Sequence, residues 1–393
     1  MAKNSGFFAP ADLIRTVAIV GVILLHASND LTLEQMNWFE IVRWNTVTVY
    51  QSVGRLGVPL FLLLTGALLL QPSKISEPIG TFFKKRLARI GLPFIFWGAV
   101  YYVWDFFVVH QINSQPITTN SIIQGILTGP YYQFWYLYLL LGLYLVTPIL
   151  RVVIAHAERN LIKYLLILWF LGASLLPVIY LVTPYRLDSN VLTFTSYAGY
   201  FILGAYLITV QMRRRSLAIL LTLGVALTVL GTYQIAHTIG GPEMWFFQDY
   251  LSPTIILASA TLFMLLISLQ TPPVEAPAIK APSLQASSVQ ASALQATTEQ
   301  ATSPSQKETS QDHPRLSNGR KLLIIISANT LPLYLFHVMV LETLQKGYLG
   351  FAINGNTINS IVGIPLNTVI VLFVSLGIIL ALKKVPVLKQ LVG

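Results

Sequence analysis

Two ionisable side chains in one apolar stretch, Arg15 and His26, are the first candidates for chemistry in this sequence. Ten mostly aliphatic residues separate them, which is close to three turns of an α-helix, so both project from one face. Their separation along the helix axis is about 16 Å at about 1.5 Å per residue. A neutral imidazole can take a proton from a hydroxyl, so His26 is a candidate general base. The alternative is a buried histidine satisfied by a neighbouring helix.

The elements that position these residues are predicted to be membrane helices. The chain has 393 residues, 54% hydrophobic and 10% charged, whereas soluble domains average about a quarter charged. We expect an all-α polytopic membrane protein with about ten transmembrane helices. The predicted spans are 11–29, 46–70, 88–109, 132–153, 161–182, 192–210, 215–237, 249–270, 321–345 and 361–383. If Arg15 lies at the rim of a bilayer, His26 lies near the middle of a hydrocarbon core about 30 Å thick, where ionisable groups indicate function.

The distribution of basic residues predicts the orientation of the chain. With a cytoplasmic N-terminus, the outer loops hold only three bases, Arg43, Arg186 and Lys346, and all the others except the intramembrane Arg55 fall on the cytoplasmic side. This predicts a multi-pass protein of the plasma membrane with both termini in the cytoplasm. The same bias accounts for the net charge of +10 without a nucleic-acid partner.

One long segment, residues 271–320, is predicted to lie outside the membrane. It is rich in Pro, Ala, Ser, Thr and Gln and contains a degenerate five-residue repeat that fits neither the helical nor the strand period. We predict a disordered cytoplasmic linker, and a partner-binding role is the alternative to a tolerated insertion. The linker divides the transmembrane domain into residues 1–270, with spans 1 to 8, and residues 321–393, with spans 9 and 10.

Arg55 is a second candidate inside the membrane. Counting inward from the start of span 2 puts it about 13 Å below the outer edge, near the level of His26. Gly54, Gly57 and Pro59 loosen the helix around it and permit a broken helix that lines a cavity. The alternative is an arginine that snorkels to the outer interface.

His337 is a third candidate, in the outer half of span 9. Tyr334 precedes it by three residues, so the two side chains share one helical face. Glu342 lies five positions further along and points elsewhere, so it is not assigned as a partner of His337.

Two further groups could bind substrates. Arg86 and Arg89 are one turn apart at the start of span 3, and paired guanidinium groups bind phosphates bidentately. Their alternative is a topology signal or a contact with anionic lipid. Trp135 and Tyr136 belong to an aromatic cluster that forms either an interfacial belt or a sugar-stacking surface.

The absence of Cys excludes a thiolate nucleophile, and no span holds ligands spaced for a catalytic metal.

Together these residues resemble the acyltransferase 3 family of integral-membrane acyltransferases, especially the branch that includes the enterobacterial common antigen O-acetyltransferase. Arg15 and His26 match its Arg/Lys-x10-His motif, with Asp12 as the acid that often precedes it. Arg86 and Arg89 match its cytoplasmic Arg-x-x-Arg motif. Segments from Arg55 to Gly66, Trp135 to Pro148, Tyr197 to Gly204 and Tyr334 to His337 are also similar. Gln133 is a departure, because relatives often have His there.

The resemblance implies an O-acetyltransferase of a bacterial cell membrane, with acyl-CoA as donor substrate and no metal. The acyl group, most often acetyl, would pass to a hydroxyl of a cell-surface or lipid-linked glycan. In that reaction Arg86 and Arg89, with Lys85 and Arg15, would hold the CoA phosphates.

At the reacting centre, His26 would act as the base on the acceptor hydroxyl or, as an alternative, carry the acyl group itself. Arg55 would stabilise the oxyanion, and His337 and Tyr334 would line the acceptor side. Trp135 and Tyr136 would contact the saccharide. The competing reading is a flippase or transporter for a lipid-linked glycan or small solute, with the intramembrane Arg and His along its pathway.

Overall fold

The structure is a computed structural model, and it describes residues 8–29, 41–109, 118–119, 123, 125, 127, 129–183, 196–270, 317–354 and 357–393. Its α-helices are α1 (Phe8–Ser28), α2 (Ile41–Gly54), α3 (Gly57–Leu69), α4 (Ile79–Trp104), α5 (Trp135–His156), α6 (Arg159–Phe170), α7 (Leu176–Val182), α8 (Ala198–Leu207), α9 (Arg214–Thr238), α10 (Pro253–Gln270), α11 (Asn318–Ala328), α12 (Thr330–Gln345), α13 (Ser360–Leu382) and α14 (Pro386–Val392). Short 3-10 and π-helical turns join several of them, and the described residues contain no strand.

The all-α membrane fold predicted from composition is confirmed. Within the described residues, eight helices are long and apolar enough to cross a bilayer, and they coincide with eight of the ten predicted spans. Many of their large apolar side chains are exposed, such as Ile95, Leu145 and Ile149. Exposed aliphatic faces of this extent suit contact with lipid tails rather than water.

The sixth and ninth predicted spans take other forms. The sixth, 192–210, contains the ten-residue helix α8, about 15 Å long and too short to cross a hydrocarbon core of about 30 Å. The ninth, 321–345, is a pair of helices, α11 and α12, bent by 82°. Pro332 lies in the first turn of α12 and has no N–H to donate to the carbonyl of Ala328, so the helix is interrupted there.

Helix α1 lies at the centre of the bundle and carries the Arg15 and His26 candidates. It packs against α2, α3, α10, α11, α12 and α13. Ala18, Ile19 and Ile23 are fully buried on it. A helix surrounded on all sides is apolar around most of its circumference, as this sequence is, and its few polar groups face other helices instead of lipid.

Arg186, predicted as an outer base, lies outside the described residues, and so does most of the predicted linker. Of the 271–320 segment only 317–320 are described, and there Ser317 is the N-cap of α11, with its Oγ accepting from the backbone N–H of Arg320 at 3.4 Å. The helix therefore begins three residues earlier than predicted, because the capping serine was not recognised.

Close contact between α3 and α8 depends on two glycines. A Cβ added at Gly204 would lie 2.0 Å from the carbonyl oxygen of Leu63, and one at Gly66 would lie 1.9 Å from that of Phe201. Small residues let membrane helices approach until their backbones touch.

We expect Gly204→Ala to destabilise the protein by at least about 1–3 kcal/mol, because its methyl group would overlap backbone rather than a flexible side chain. Gly142→Ala is the matched control, since a Cβ at Gly142 meets nothing within 4 Å. Thermal unfolding of both detergent-solubilised variants measures the difference. Equal stability of the two variants would contradict the close crossing.

Candidate active site

The acid and base at the start of α1 are held by a second helix. Arg15 Nη1 donates to Asp12 Oδ1 at 3.2 Å. The same oxygen accepts from Ser327 Oγ at 2.6 Å, and Thr16 Oγ1 donates to the carbonyl of Leu323 at 3.3 Å. Helix α11 thereby fixes the orientation of Asp12, which in turn positions the Arg15 guanidinium. Arg15 also lines a cavity that contains three other basic residues.

The two candidate histidines, 311 positions apart in sequence, are in contact. The ring centroids of His26 and His337 lie 5.3 Å apart, and the ring of Tyr132 lies 5.2 Å from His26 on another side. The ring of Tyr334 lies next to that of His337, with 6.0 Å between the two ring centroids. Successive ring contacts thus connect Tyr334, His337 and His26 on α12 and α1 with Tyr132.

The tautomer of His337 follows from its partners. Its Nδ1 lies 3.1 Å from the carbonyl oxygen of Leu333 and 2.8 Å from that of Tyr334. Carbonyl oxygens only accept, so Nδ1 carries the hydrogen and Nε2 holds a lone pair in the neutral ring. The residue is fully buried, and Nε2 has no hydrogen-bond partner among the described residues. An unpaired buried acceptor beside His26 is costly for folding alone and is available to a substrate.

Arg55 is brought to the His26 region by a close helix crossing. It lies in the break between α2 and α3, flanked by Gly54 and Gly57. A Cβ at Gly54 would lie 2.7 Å from the backbone nitrogen of Leu25, and one at Gly57 would lie 2.6 Å from the carbonyl of Ala18. The break therefore touches α1 beside His26. The Arg55 guanidinium lies 5.1 Å from the ring centroid of Tyr250, within cation–π range.

Trp135 and Tyr136 face different parts of the site. Trp135 stacks on Tyr250, with 5.6 Å between centroids and 28° between planes, so it belongs to the Arg55 side. Tyr136 is buried between Phe61 and Tyr334. Tyr136 and Tyr334 both line the cavity that also contains Arg15. Both tyrosines therefore form part of the wall of the cavity that contains the basic residues.

This inner cavity has a volume of about 350 Å³ and is strongly basic. It is bounded by α1, α3, α4, α5 and the α11–α12 bend, and its described lining includes no acidic side chain. Four basic residues line it: Arg15, Lys74, Arg86 and Arg89. Tyr334 is also part of the lining, so the cavity reaches the series of ring contacts that passes through His337 to His26. It can accept an extended anionic molecule whose far end lies near the histidines.

Lys74 was not predicted from the sequence, where it reads as one more cytoplasmic base. Its Nζ donates to the carbonyl of Leu68 at 2.6 Å. Burial lowers the pKa of Lys74, and the neighbouring Arg86 and Arg151 lower it further. Lys85, predicted to bind the cofactor, is not among the lining residues. Its Nζ lies 2.7 Å from Glu77 Oε1.

Arg151 is a buried brace beside the cavity and was also missed. Its Nε donates to the carbonyl of Leu69 at 2.8 Å, and its Nη1 donates to Glu77 Oε2 at 3.0 Å. The pKa of Glu77 is held below its ordinary value chiefly by the hydrogen bond from Lys85, with that from Arg151 acting in the same direction. The guanidinium of Arg151 also lies 4.6 Å from the Phe82 ring, and that of Arg86 lies 5.4 Å from it. The brace thus ties the 72–78 turn, with Lys74, to α5.

Gln133 and Glu342 are the remaining polar groups around the rings. Gln133 is fully buried, and neither atom of its side-chain amide has a partner among the described residues. Its backbone carbonyl accepts from Tyr334 Oη at 2.6 Å. The Glu342 carboxylate accepts from Tyr131 Oη at 2.6 Å, rather than from His337. No group of three or more His, Cys, Asp or Glu suited to a metal occurs in the part of the chain that the structure describes.

Comparison with known proteins gives one match. The family model described as an acyltransferase domain, the acyltransferase 3 model, matches residues 10–274, more than half of the chain. The matched range includes Arg15, His26, Arg55, Arg86 and Arg89 and ends before His337. No curated protein and no solved structure shows a significant similarity to the chain.

Proposed function

The chain belongs to the acyltransferase 3 family and is a membrane acyltransferase, and from that premise we propose that it moves an acyl group from acyl-CoA to a glycan hydroxyl. The acyl group is acetyl, the acceptor is a cell-surface or lipid-linked saccharide, and the membrane is the bacterial plasma membrane with both termini in the cytoplasm. The proposal rests chiefly on one observation: a basic cavity is lined by Tyr334, whose ring adjoins one of a pair of contacting histidines.

The inner cavity suits the phosphates of CoA. Its described lining combines three guanidinium groups and one amine with no acidic side chain, and guanidinium groups bind phosphate oxygens with paired, charge-assisted hydrogen bonds. The Nε of Arg86 is buried and has no partner among the described residues, so one donor is available to a phosphate oxygen. In this proposal Arg86, Arg89 and Lys74 bind the phosphates of CoA, and Arg15 binds the part of the pantetheine arm next to them.

The thioester reaches the histidines along the aromatic wall of the cavity. Tyr136 and Tyr334 line it and lie 5.3 Å apart, centroid to centroid. Tyr334 in turn lies 6.0 Å from the ring of His337. An acyl-pantetheine arm that follows this wall brings its carbonyl carbon next to His337 and His26.

His26 then acts as the general base. It takes the proton from the acceptor hydroxyl while the hydroxyl oxygen attacks the thioester carbonyl carbon. Arg55 stabilises the oxyanion of the tetrahedral intermediate. When the intermediate collapses, the C–S bond breaks, the ester remains on the acceptor, and the protonated His26 returns the proton to the CoA sulfur. The lone pair on His337 Nε2 accepts a hydrogen bond that orients His26 or the acceptor.

The donor site can be tested through its arginines. We expect Arg86→Ala and Arg89→Ala to raise the apparent KM for acyl-CoA, because each lost charge-assisted bond is worth about 1.5–3 kcal/mol. The half-buried Arg86 should have the larger effect, since the exposed Arg89 is screened by solvent. Lys replacements should restore part of the affinity, because they keep the charge but lose the bidentate fork.

Lys84→Ala is the matched control for this experiment. Lys84 is exposed on the same helix and is not among the residues that line the cavity. The measurement is the steady-state dependence of acyl transfer on acyl-CoA concentration. An equal rise in KM for Lys84→Ala and Arg86→Ala would mean that α4 contributes only a diffuse positive field.

A further inference from the structure

A second cavity, the outer pocket, lies at the other end of the bundle. It has a volume of about 610 Å³ and lies between the α6–α7 region and the 3-10 helix Gly241–Gln248. Its lining residues are Ala173, Ser174, Pro177, Leu181, Glu243, Trp245, Phe246, Asp249, Leu251 and Ser252. Helix α9 ends at Thr238, just before the 3-10 helix that lines this pocket.

The charge of the outer pocket is the reverse of that of the inner cavity. Glu243 and Asp249 are exposed carboxylates, and the described lining includes no basic side chain. Asp249 Oδ1 accepts from the backbone N–H of Leu251 at 2.7 Å. Trp245 and Phe246 are half-buried and present aromatic surface to the same space. Carboxylates beside aromatic faces form the environment in which an organic ammonium group is most favoured.

Ser174 provides a separate indication that the pocket holds a polar ligand. Its side chain is 1% exposed, and its Oγ has no hydrogen-bond partner among the described residues. It lies in the π-helical turn Leu171–Leu175, a local widening of the helix that often occurs at functional sites. A buried hydroxyl that lines a cavity and has no partner in the described part of the chain is available to hydrogen-bond a ligand there.

The outer pocket adjoins the Arg55 side of the candidate active site through two consecutive residues, Asp249 and Tyr250. Asp249 adjoins Tyr250, whose ring lies under the Arg55 guanidinium and stacks on Trp135. A molecule bound by Asp249 and Trp245 is therefore next to the residues that surround the reacting centre on the side away from the basic cavity.

We propose that the outer pocket binds the ammonium group of the acceptor, so the acceptor is an amine-bearing saccharide or an amine-bearing lipid headgroup. The binding of an amine at this pocket does not depend on the proposed function, whereas the identification of that amine as the acyl acceptor does. Glu243 and Asp249 supply the negative charge, Trp245 and Phe246 contact the ligand's apolar faces, and Ser174 Oγ forms a hydrogen bond to it.

Binding can be tested without acyl transfer, so a failure here is separate from a failure of the transferase proposal. The full-length protein in nanodiscs is titrated calorimetrically with D-glucosamine, D-glucose and ethanolamine at a pH at which the amines are protonated. We expect glucosamine to bind at least about tenfold more tightly than glucose, and its affinity to fall as salt is added. Tighter binding of glucosamine than of ethanolamine assigns the amine to a saccharide, and the reverse order assigns it to a lipid headgroup.

Three variants and one control isolate the pocket. We expect Glu243→Gln and Asp249→Asn each to weaken glucosamine binding by about two- to fivefold, since both carboxylates are exposed and partly screened. Ser174→Ala should weaken it by about two- to tenfold without lowering thermal stability, because none of the described residues is a hydrogen-bond partner of the hydroxyl. Glu158→Gln, an exposed carboxylate at the opposite end of α6, is the matched control and should bind like the parent.

Three results would overturn the proposal. The first is equal affinity of the parent protein for glucosamine and glucose. The second is parental affinity for glucosamine in the double variant Glu243→Gln/Asp249→Asn. The third is that the folded parent protein binds neither glucosamine nor ethanolamine.

Discussion

His26→Ala is expected to abolish acyl transfer while leaving the protein abundant, folded and able to bind acyl-CoA. A positioned general base contributes about 10²–10⁴-fold, so turnover should fall by at least that range. Removing the ring should leave the donor site intact, because His26 is not among the residues that line the inner cavity. Acyl transfer and acyl-CoA binding by the purified, reconstituted protein measure the two effects separately.

His26→Gln distinguishes a base from a structural hydrogen-bonding group. The glutamine amide can donate and accept hydrogen bonds but cannot take up the acceptor's proton, so this variant should be nearly as inactive as His26→Ala. Near-parental turnover by His26→Gln would contradict the assignment. The base would then be sought at His337, whose unpaired Nε2 lies beside His26.

Arg55→Ala is expected to lower turnover by about 10²–10³-fold, the loss typical of removing one oxyanion donor. The apparent KM for acyl-CoA should change little, because Arg55 lies outside the inner cavity lining. Arg55→Lys should recover part of the rate, because it retains the charge but not the planar fork. The measurement is turnover at saturating acyl-CoA, with KM determined in the same series.

The ring beneath Arg55 provides a matched pair of controls. Tyr250→Phe keeps the aromatic face under the guanidinium and the stack with Trp135 but loses the side-chain hydrogen bond between Tyr250 and Arg55, so we expect a smaller loss of turnover than with Arg55→Ala. Tyr250→Leu removes the aromatic face as well and should reduce turnover further, without changing KM for the donor. If Arg55→Ala raised KM and left turnover unchanged, Arg55 would serve binding rather than catalysis.

The sequence predicts the membrane fold well, because each long apolar stretch marks the position of a membrane-spanning helix. Eight of the predicted spans coincide with long apolar helices, and Arg15 and His26 lie in one helix as their spacing indicates. The break around Arg55 also follows from local signals, since Gly54 and Gly57 weaken the helix there. Such features depend on neighbouring residues and are visible in a single sequence.

Features that depend on contacts between distant helices are not visible in this way. The His26–His337 contact joins α1 to α12, and no periodicity relates the two positions. Lys74 reads as a topology signal until the turn at 72–78 is tied to α5 by Arg151 and Glu77. The apolar run 321–345 predicts a single span, so the 82° bend between α11 and α12, just before Pro332, was not predicted.

The most direct test of the central claim is a sidedness assay in oriented proteoliposomes. Acetyl-CoA labelled in its acetyl group is confined to the side that carries Lys74 and Arg86, and an unlabelled saccharide acceptor is confined to the other. The account predicts that labelled ester accumulates on the acceptor across the membrane with the parent protein and not with His26→Ala. Movement of intact, unacylated acceptor between the compartments, with no labelled ester on either side, would contradict the account and identify a transporter instead.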